Sequence, residues 1–264
     1  MEIVPGRKAL VTGGASGFGR EIARRLAAAG AAVAVLDVDA EKAAATAGAL
    51  LGEGHLGVQA DVRSLTETAT AVARAEQALG GVDTVVVSAG VFSMGPLEQI
   101  TEEDWDRTIE VNLKGAFTTL RAAAAPLRAS GRGRVVTIAS DAGRRGFPTQ
   151  SAYVSSKFGL VGFTESIAAE LAGDGVNVNC VCPVYCPTTS MGGEVVEVKA
   201  ERDHKSADAV IASAAATNPL GRNATEGDVA DAVMFLISEQ SSFLTGVLLD
   251  VDGGARLGSV PGLD

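Results

Sequence analysis

Tyr153, Lys157 and Ser140 are the residues whose types and spacing could do chemistry together. In Tyr153-Val154-Ser155-Ser156-Lys157 the phenol and the amine are one helical turn apart and share a face if the stretch is helical. A free phenol loses its proton near pH ~10, and a close cation favours the charged form. Lys157 is therefore expected to bring Tyr153 toward the range where it acts as a base or acid near neutrality. A hydroxyl at Ser140, closing the apolar run that starts at Arg134, could hydrogen-bond a substrate oxygen as its charge changes. The same pair also fits a half-buried ring beside a solvated amine, so the elements around it must decide.

Those elements alternate between strand and helix. Lys8 to Thr12 is a short apolar run closed by Gly13, and Phe18, Ile22, Leu26 and Ala29 follow at helical spacing. The turn between them, Thr12-Gly13-Gly14-Ala15-Ser16-Gly17-Phe18-Gly19, is rich in residues that let backbone amides approach a phosphate at a helix N-terminus. Placed between a first strand and a first helix, it is a dinucleotide-binding signal. After Gly30, Ala32 to Asp37 reads as a buried parallel strand. Asp37 falls where a Rossmann-type unit puts the acid that binds ribose hydroxyls, while Asp39 is expected to cap the following helix.

Further strands are expected at Leu56 to Ala60, Val82 to Val87, Arg134 to Ser140, Val176 to Cys182 and Phe243 to Val251. Ser64-Leu65-Thr66-Glu67 reads as a capping box, and Thr225 to Asp228 starts a last helix through Met234, Leu236 and Ile237. A helix beginning at Thr101 carries Trp105, Ile109, Leu113 and Phe117 as an apolar stripe, with Asn112 beside it. Periodicity alone does not distinguish Asn112 from a surface residue. The long polar and alanine-rich segment from Thr188 to Asn218 would cover the carboxyl edge of the sheet as a substrate lid. The expected architecture is α/β: a Rossmann-type, doubly wound, seven-stranded parallel sheet flanked by helices, in one domain over residues 1–264.

At 264 residues and 47% hydrophobic, the chain can bury a large core. A formal net charge of −10 opposes binding to nucleic acid or to an anionic membrane. No apolar run approaches a bilayer span and Met1 to Pro5 lacks the order of a signal peptide, so a cytoplasmic protein is expected. Cys180, Cys182 and Cys186 make no disulfide framework, and Cys180 and Cys182 share a strand face as small core residues. No metal is expected, because His55 and His204 lie far from the cysteines in sequence and read as surface residues.

With these pieces placed, the chain resembles the short-chain dehydrogenase/reductase family from about Lys8 to Gly254. Thr12-Gly13-x-x-x-Gly17-x-Gly19 is similar to that family's cofactor loop, and Asp61 to its adenine-contacting acid. Asn112, Ser140, Tyr153 and Lys157 match its catalytic tetrad in order and spacing. The resemblance implies hydride transfer between a nicotinamide and a carbinol or carbonyl carbon. Tyr153 would exchange the hydroxyl proton, Ser140 orient the substrate oxygen, Lys157 bind the nicotinamide ribose, and Asn112 hold a relaying water. Cofactor contacts are implied at Gly13, Ser16, Gly17, Phe18, Gly19, Asp37, Val38, Asp61, Val62, Ser88, Ala89, Gly90, Tyr153, Lys157, Pro183, Val184, Cys186 and Thr188. Thr188 is similar in position to the residue that binds the nicotinamide carboxamide. Three residues depart from the pattern: Val87 and Ser88 stand where the family has two asparagines, and the β-branched Val184 where it has glycine. Homotetramers are implied, with Leu257 to Asp264 as an intersubunit tail.

Asp37, with no Lys or Arg in the glycine loop or the turn after it, favours NAD over NADP. The expected substrate is a polyol or other small hydroxylated secondary alcohol, contacted by Ser140, Gln150, Tyr153 and Tyr185. A 3-oxoacyl thioester is the alternative, and a non-catalytic nucleotide sensor the alternative of another class. Lys199, Arg202 and Lys205 lie on the lid and could make a local anion site, but their neighbours Glu194, Glu197, Glu201 and Asp203 favour a solvated mixed-charge helix.

Overall fold

Near-continuous apolar runs such as Ala32–Asp37 can be buried only if both faces of a sheet are covered, and the chain supplies helices for both. The computed structural model describes residues 6–257. Its strands are β1 (Lys8–Thr12), β2 (Ala32–Asp37), β3 (Leu56–Gln59), β4 (Thr84–Val87), β5 (Arg134–Ile138), β6 (Asn177–Pro183) and β7 (Leu248–Val251). The α-helices are α1 (Gly17–Ala28), α2 (Ala40–Gly48), α3 (Leu65–Leu79), α4 (Glu102–Ile109), α5 (Gly115–Ala129), α6 (Ser151–Leu171), α7 (Ser190–Asp203), α8 (Ala207–Ala216) and α9 (Glu226–Ile237). All seven strands run parallel in the order β3-β2-β1-β4-β5-β6-β7.

Alternation along β1 shows how the layers form. Leu10 faces the side where α3, α5 and α6 pack, with Val72, Leu120 and Leu160, whereas Ala9 and Val11 face Ile22, Leu26 and Val233 of α1 and α9. Each fully buried aliphatic side chain contributes about 1.5–3 kcal/mol, so both layers are strongly held. Between β1 and β4 the strand order reverses, which opens a crevice at the carboxyl ends. There the buried Thr12 hydroxyl accepts hydrogen bonds from the Ser88 and Ala89 amides at 3.1 and 3.3 Å. It ties the two strand ends together from the β1 side.

Several expectations are corrected. The last strand is confined to Leu248–Val251, because the chain turns at Ser241 to Gly246 and leaves Phe243 fully exposed. The stretch from Thr188 to Asn218, expected only to lack strands, holds α7 and α8, capped by Thr189 and Ser206. Ser64 caps α3 by accepting from the Glu67 amide, but Glu67 does not close the box and instead accepts from the Asp61 amide. His55 is half-buried rather than a surface residue; Val33 N–H donates to its Nδ1 at 3.2 Å, and its Nε2 lies 3.0 Å from the Leu51 carbonyl.

The largest correction concerns the helix from Thr101. It is interrupted by a π-helical segment at Glu110–Lys114 before α5 begins, and the extra residue in that turn shifts the stripe. Trp105 and Phe117 are exposed, and Asn112 is buried. Asp39 does cap α2, accepting from the Lys42 amide at 3.0 Å. The C-terminal tail beyond Leu257 lies outside the described residues.

Gly13 has φ of 61°, and a Cβ there would lie 2.7 Å from Ala89 Cα. Gly13→Ala combines left-handed strain with overpacking of the crevice and is expected to destabilise the fold by about 2–4 kcal/mol. Thermal unfolding should show Tm lowered by at least about 5 °C; an unchanged Tm would mean that the strand ends can part without cost.

Candidate active site

The first βα turn builds one half of the site. A Cβ on Gly19 would fall on the Gly13 carbonyl oxygen, so the loop folds back on the start of α1 only because both positions are glycine. Ser16 is the N-cap of α1 and makes no capping hydrogen bond, which leaves its hydroxyl facing a cleft of about 520 Å³. Gly13, Ser16, Gly17, Phe18, Asp37, Val38, Asp61, Val62, Ser88, Ala89 and Gly90 all line that cleft. Gly19 lies buried beneath the loop. Asp37 accepts from the Ala15 amide through Oδ2 and from the Asp39 amide through Oδ1, both at 3.2 Å, which aims its carboxylate across the loop. Asp61 is gripped by Arg63, whose Nε and Nη2 donate to it at 2.6–3.0 Å and hold its carboxyl below the usual range.

The other half lies at the ends of β5 and β6 and the start of α6. Ser140, Gln150, Tyr153, Pro183, Val184, Tyr185 and Cys186 line a second cavity of about 150 Å³. Phe18, Phe92, Thr189 and Met191 line both spaces, which are therefore neighbours. The Phe92 ring meets the Tyr153 ring edge-on, with centroids 4.9 Å apart. Gln150 follows Thr149, a β-branched residue held at φ 64° while its carbonyl accepts from the Gly95 amide at 2.8 Å. Such an outlier costs of order 1–3 kcal/mol and fixes how α6 begins. Val184 stays in the ladder, donating to the Val251 carbonyl at 3.0 Å, and packs with Cys186, Ala224 and Ala255.

Tyr153 and Lys157 do share the inner face of α6, but their coupling differs from expectation. Lys157 Nζ donates to the Ile138 carbonyl at 3.0 Å and stands 5.6 Å from the Tyr153 ring centroid. Burial dominates both groups. It pushes the Tyr153 phenol up to about 12, with the Ser140 hydroxyl pulling down and the Asp141 carboxylate adding to the rise. It brings Lys157 down to about 8, opposed by the nearby Cys180 and Cys182 thiols. Desolvation thus sets the phenol, and the expected effect of the Lys157 cation is not among the causes of its shift.

Asn112 is brought to the site by the π segment. Its Oδ1 accepts from the Val91 amide at 2.8 Å, and its Nδ2 donates to the Val91 carbonyl and to Ser156 Oγ, each at 3.0 Å. A Cβ on Gly90 would lie 3.3 Å from Asn112 Oδ1 and 3.7 Å from Lys157 Nζ, so both groups border the space over that glycine. Thr188 is not brought to the cleft. It is exposed, and its hydroxyl donates to the Glu226 carboxylate at 2.6 Å. Its neighbour Thr189 lines both spaces, with its hydroxyl accepting from the Gly192 amide at 2.9 Å. Tyr185 lines the inner cavity with its ring, while its hydroxyl donates to the Gly192 carbonyl at 3.1 Å.

Sequence reasoning missed Asp141 and Thr189, and it favoured a solvated helix face for Lys199, which lines a cavity instead. Asp141 accepts from Ser140 Oγ at 3.0 Å, and its only sequence signal was an acid directly after the strand-end serine. Cys180 and Cys182 face each other as free, buried thiols with sulfurs 3.9 Å apart behind Lys157.

Residues 7–200 match the family model for short chain dehydrogenases. The chain is 36% identical to the D-threitol dehydrogenase of Mycolicibacterium smegmatis, over 94% of this chain and 92% of that protein. It is 39% identical to the (3R)-3-hydroxyacyl-CoA dehydrogenase of Mus musculus, over 93% of this chain and 95% of that one. The crystal structure of an actinorhodin polyketide ketoreductase variant with NADPH superposes with a TM-score of 0.90 at 35% identity, covering 94% of this chain and 97% of the other. The chain belongs to the short-chain dehydrogenase family. It is an oxidoreductase of alcohol or hydroxyacyl groups, of a family that binds a nicotinamide cofactor. The glycine cradle that a Cβ would fill, the uncapped Ser16 and the Asp37 carboxylate fit such a cofactor.

The chain has two tyrosines, and burial pushes both up to about 12. Spectrophotometric titration of the folded protein should show almost no tyrosinate at pH ~10, where a free phenol is half ionised. In Asp141→Asn one tyrosine should ionise at lower pH than in the parent, because a negative neighbour is removed; an unmoved curve would show that Asp141 does not act on the Tyr153 phenol.

Proposed function

We propose that this chain is an NAD-dependent dehydrogenase of a small polyol or similar hydroxylated secondary alcohol. The observation that carries this reading is that Tyr153 and Ser140 line a cavity that shares Phe18, Phe92, Thr189 and Met191 with the glycine-lined cleft. When bound, the nicotinamide supplies the hydride acceptor or donor. Tyr153, a neutral phenol at pH ~7 that burial holds above its ordinary pKa, gives its proton to the substrate oxygen in reduction. In oxidation it must first lose that proton, and the phenolate then takes the proton of the substrate hydroxyl. Ser140 turns its hydroxyl from Asp141 toward that oxygen. Lys157 spends one of its three hydrogens on the Ile138 carbonyl, leaving two for a ribose hydroxyl and for a water held beside Asn112 over Gly90. Helices α7 and α8 act as the substrate lid. A sensor without turnover would have no use for a lysine buried at this cost beside a phenol, which argues against that alternative.

A 3-oxoacyl thioester is the second reading, favoured by a cavity of about 930 Å³ that adjoins the catalytic pocket and exceeds what a small polyol needs. A screen of polyols, diols, hydroxy acids and an acetoacetyl thioester, followed by NADH absorbance, separates the two. Activity confined to the thioester would reject the polyol reading. Apolar rings on the outer helices, with Trp105 41%, Phe117 42% and Phe158 46% exposed, support a homotetramer built on helix pairs, testable by light scattering. Three free, buried thiols suit a reducing cytoplasm.

Tyr153→Phe keeps the ring packed on Phe92 and removes the transferable proton. Turnover is expected to fall by about 10²–10⁴-fold with cofactor binding retained, as read by steady-state rates and by NADH fluorescence titration. Wild-type rates in that variant would exclude Tyr153 as the acid or base.

For the cofactor, Asp37 would accept hydrogen bonds from ribose hydroxyls, whereas a phosphate there would meet a carboxylate, a repulsion on the order of several kcal/mol. Arg63 lines the same cleft but is committed to Asp61. Catalytic efficiency with NAD should exceed that with NADP by about 100-fold or more, and equal efficiencies would show that Asp37 does not read the ribose.

A further inference from the structure

The cavity of about 930 Å³ beside the catalytic pocket is lined by four basic side chains, Arg145, Lys199, Arg202 and Lys205, against two acidic ones, Asp141 and Asp203. That excess of cations stands out in a chain whose formal net charge is −10. Both acids already have an arginine. Arg202 Nε and Nη2 donate to Asp203 at 2.6 and 3.0 Å, and Arg145 lies 3.6 Å from Asp141 and stacks on Phe147. The two lysines are left over: among the described residues neither has an ion pair.

Lys199 is placed where a ligand would meet it. It lines both this cavity and the inner one that holds Ser140 and Tyr153, and its Nζ lies 5.3 Å from the Tyr185 ring centroid, on the face of a residue that walls the pocket. Its side chain is half-buried on α7, so the ammonium has given up part of its water without gaining a carboxylate. Burial and the like charge of Arg202 pull it below its ordinary pKa, and Asp141 and Asp203 oppose them only through space. Glu194 and Glu201, which the sequence suggested as its neighbours on a solvated face, do not pair with it.

We propose that the substrate is a secondary alcohol, or its ketone, carrying an anionic group remote from the reacting carbon, and that Lys199 receives this group at the junction of the two cavities. The proposal rests on the reading of Tyr153 and Ser140 as the reacting centre. It narrows the hydroxylated substrate to one with a carboxylate or phosphate end, with Lys205 and the arginine-lined wall beyond setting a favourable potential for it.

The test uses matched pairs that differ in charge: 3-hydroxybutanoate against its methyl ester, and glycerol 3-phosphate against glycerol. Rates are measured with saturating NAD for the parent, Lys199→Met and Lys199→Arg. The parent should prefer the anionic member of one pair, and which pair it is separates carboxylate from phosphate. Lys199→Met should cut that preference by about tenfold or more, mainly through KM, and Lys199→Arg should restore most of it. Equal preference in parent and Lys199→Met, or an equal fall for both members, overturns the proposal. If no pair is turned over, the dehydrogenase reading is left to the substrate screen described above, whose outcome is separate. Calorimetric titration of 3-hydroxybutanoate and of methyl phosphate into the NAD-saturated protein then decides the anion site. Binding weakened about tenfold in Lys199→Met at unchanged Tm supports it, and no binding, or equal binding, overturns it.

Discussion

The hydroxyl of Thr12 holds the place where the sheet changes direction. β1 and β4 are neighbours in space but far apart in sequence, and their helices leave toward opposite faces. Such a divergence would leave the Ser88 and Ala89 amides pointing into the crevice without partners. A buried side-chain oxygen at the end of β1 takes both. It also answers the departure at Ser88: the strand ends are joined from the β1 side by Thr12, so the serine side chain is free to line the cleft. That contact holds the end of β1, where the glycine loop begins, beside the Ser88 to Gly90 wall of the cleft.

Around it the site is governed by desolvation more than by pairing. Tyr153, Lys157 and Asp141 all sit in little water, and for each of them burial is the first cause of the shift. Their charged forms are each disfavoured, so the site holds a protonated phenol and a weakened cation close together. A one-turn spacing on a helix therefore brings two titratable groups to one place without fixing how they interact. The reach of the lysine to a carbonyl on β5 decides that, and this is a matter of tertiary packing.

Much of this was legible in the chain. The seven parallel strands, the glycine turn, the caps at Asp39, Thr101 and Thr225, and the gathering of Ser140 with Tyr153 follow from period and turn chemistry. What was not legible has definite causes. The burial of Asn112 depends on a π turn, and nothing in the composition of Glu110 to Lys114 marks one. Thr188 and Thr189 are adjacent and alike, and only the start of α7 decides which faces the cleft. Lys199 sits among acids in sequence, yet the fold turns it inward, away from Glu194 and Glu201, and toward the pocket.

The π segment between α4 and α5 also has a bearing on which insertions and deletions this chain could tolerate. Removing one residue from Glu110–Lys114 would restore an ordinary helix and rotate everything after it by about 100° relative to what comes before. Asn112 would leave its bonds to Val91 and Ser156, and in the same motion Phe117 would turn away from the outward face that it shares with Trp105. The interior anchor and the outer surface are thus indexed by a single residue of chain length, and neither can drift through such a deletion while the other stays in place.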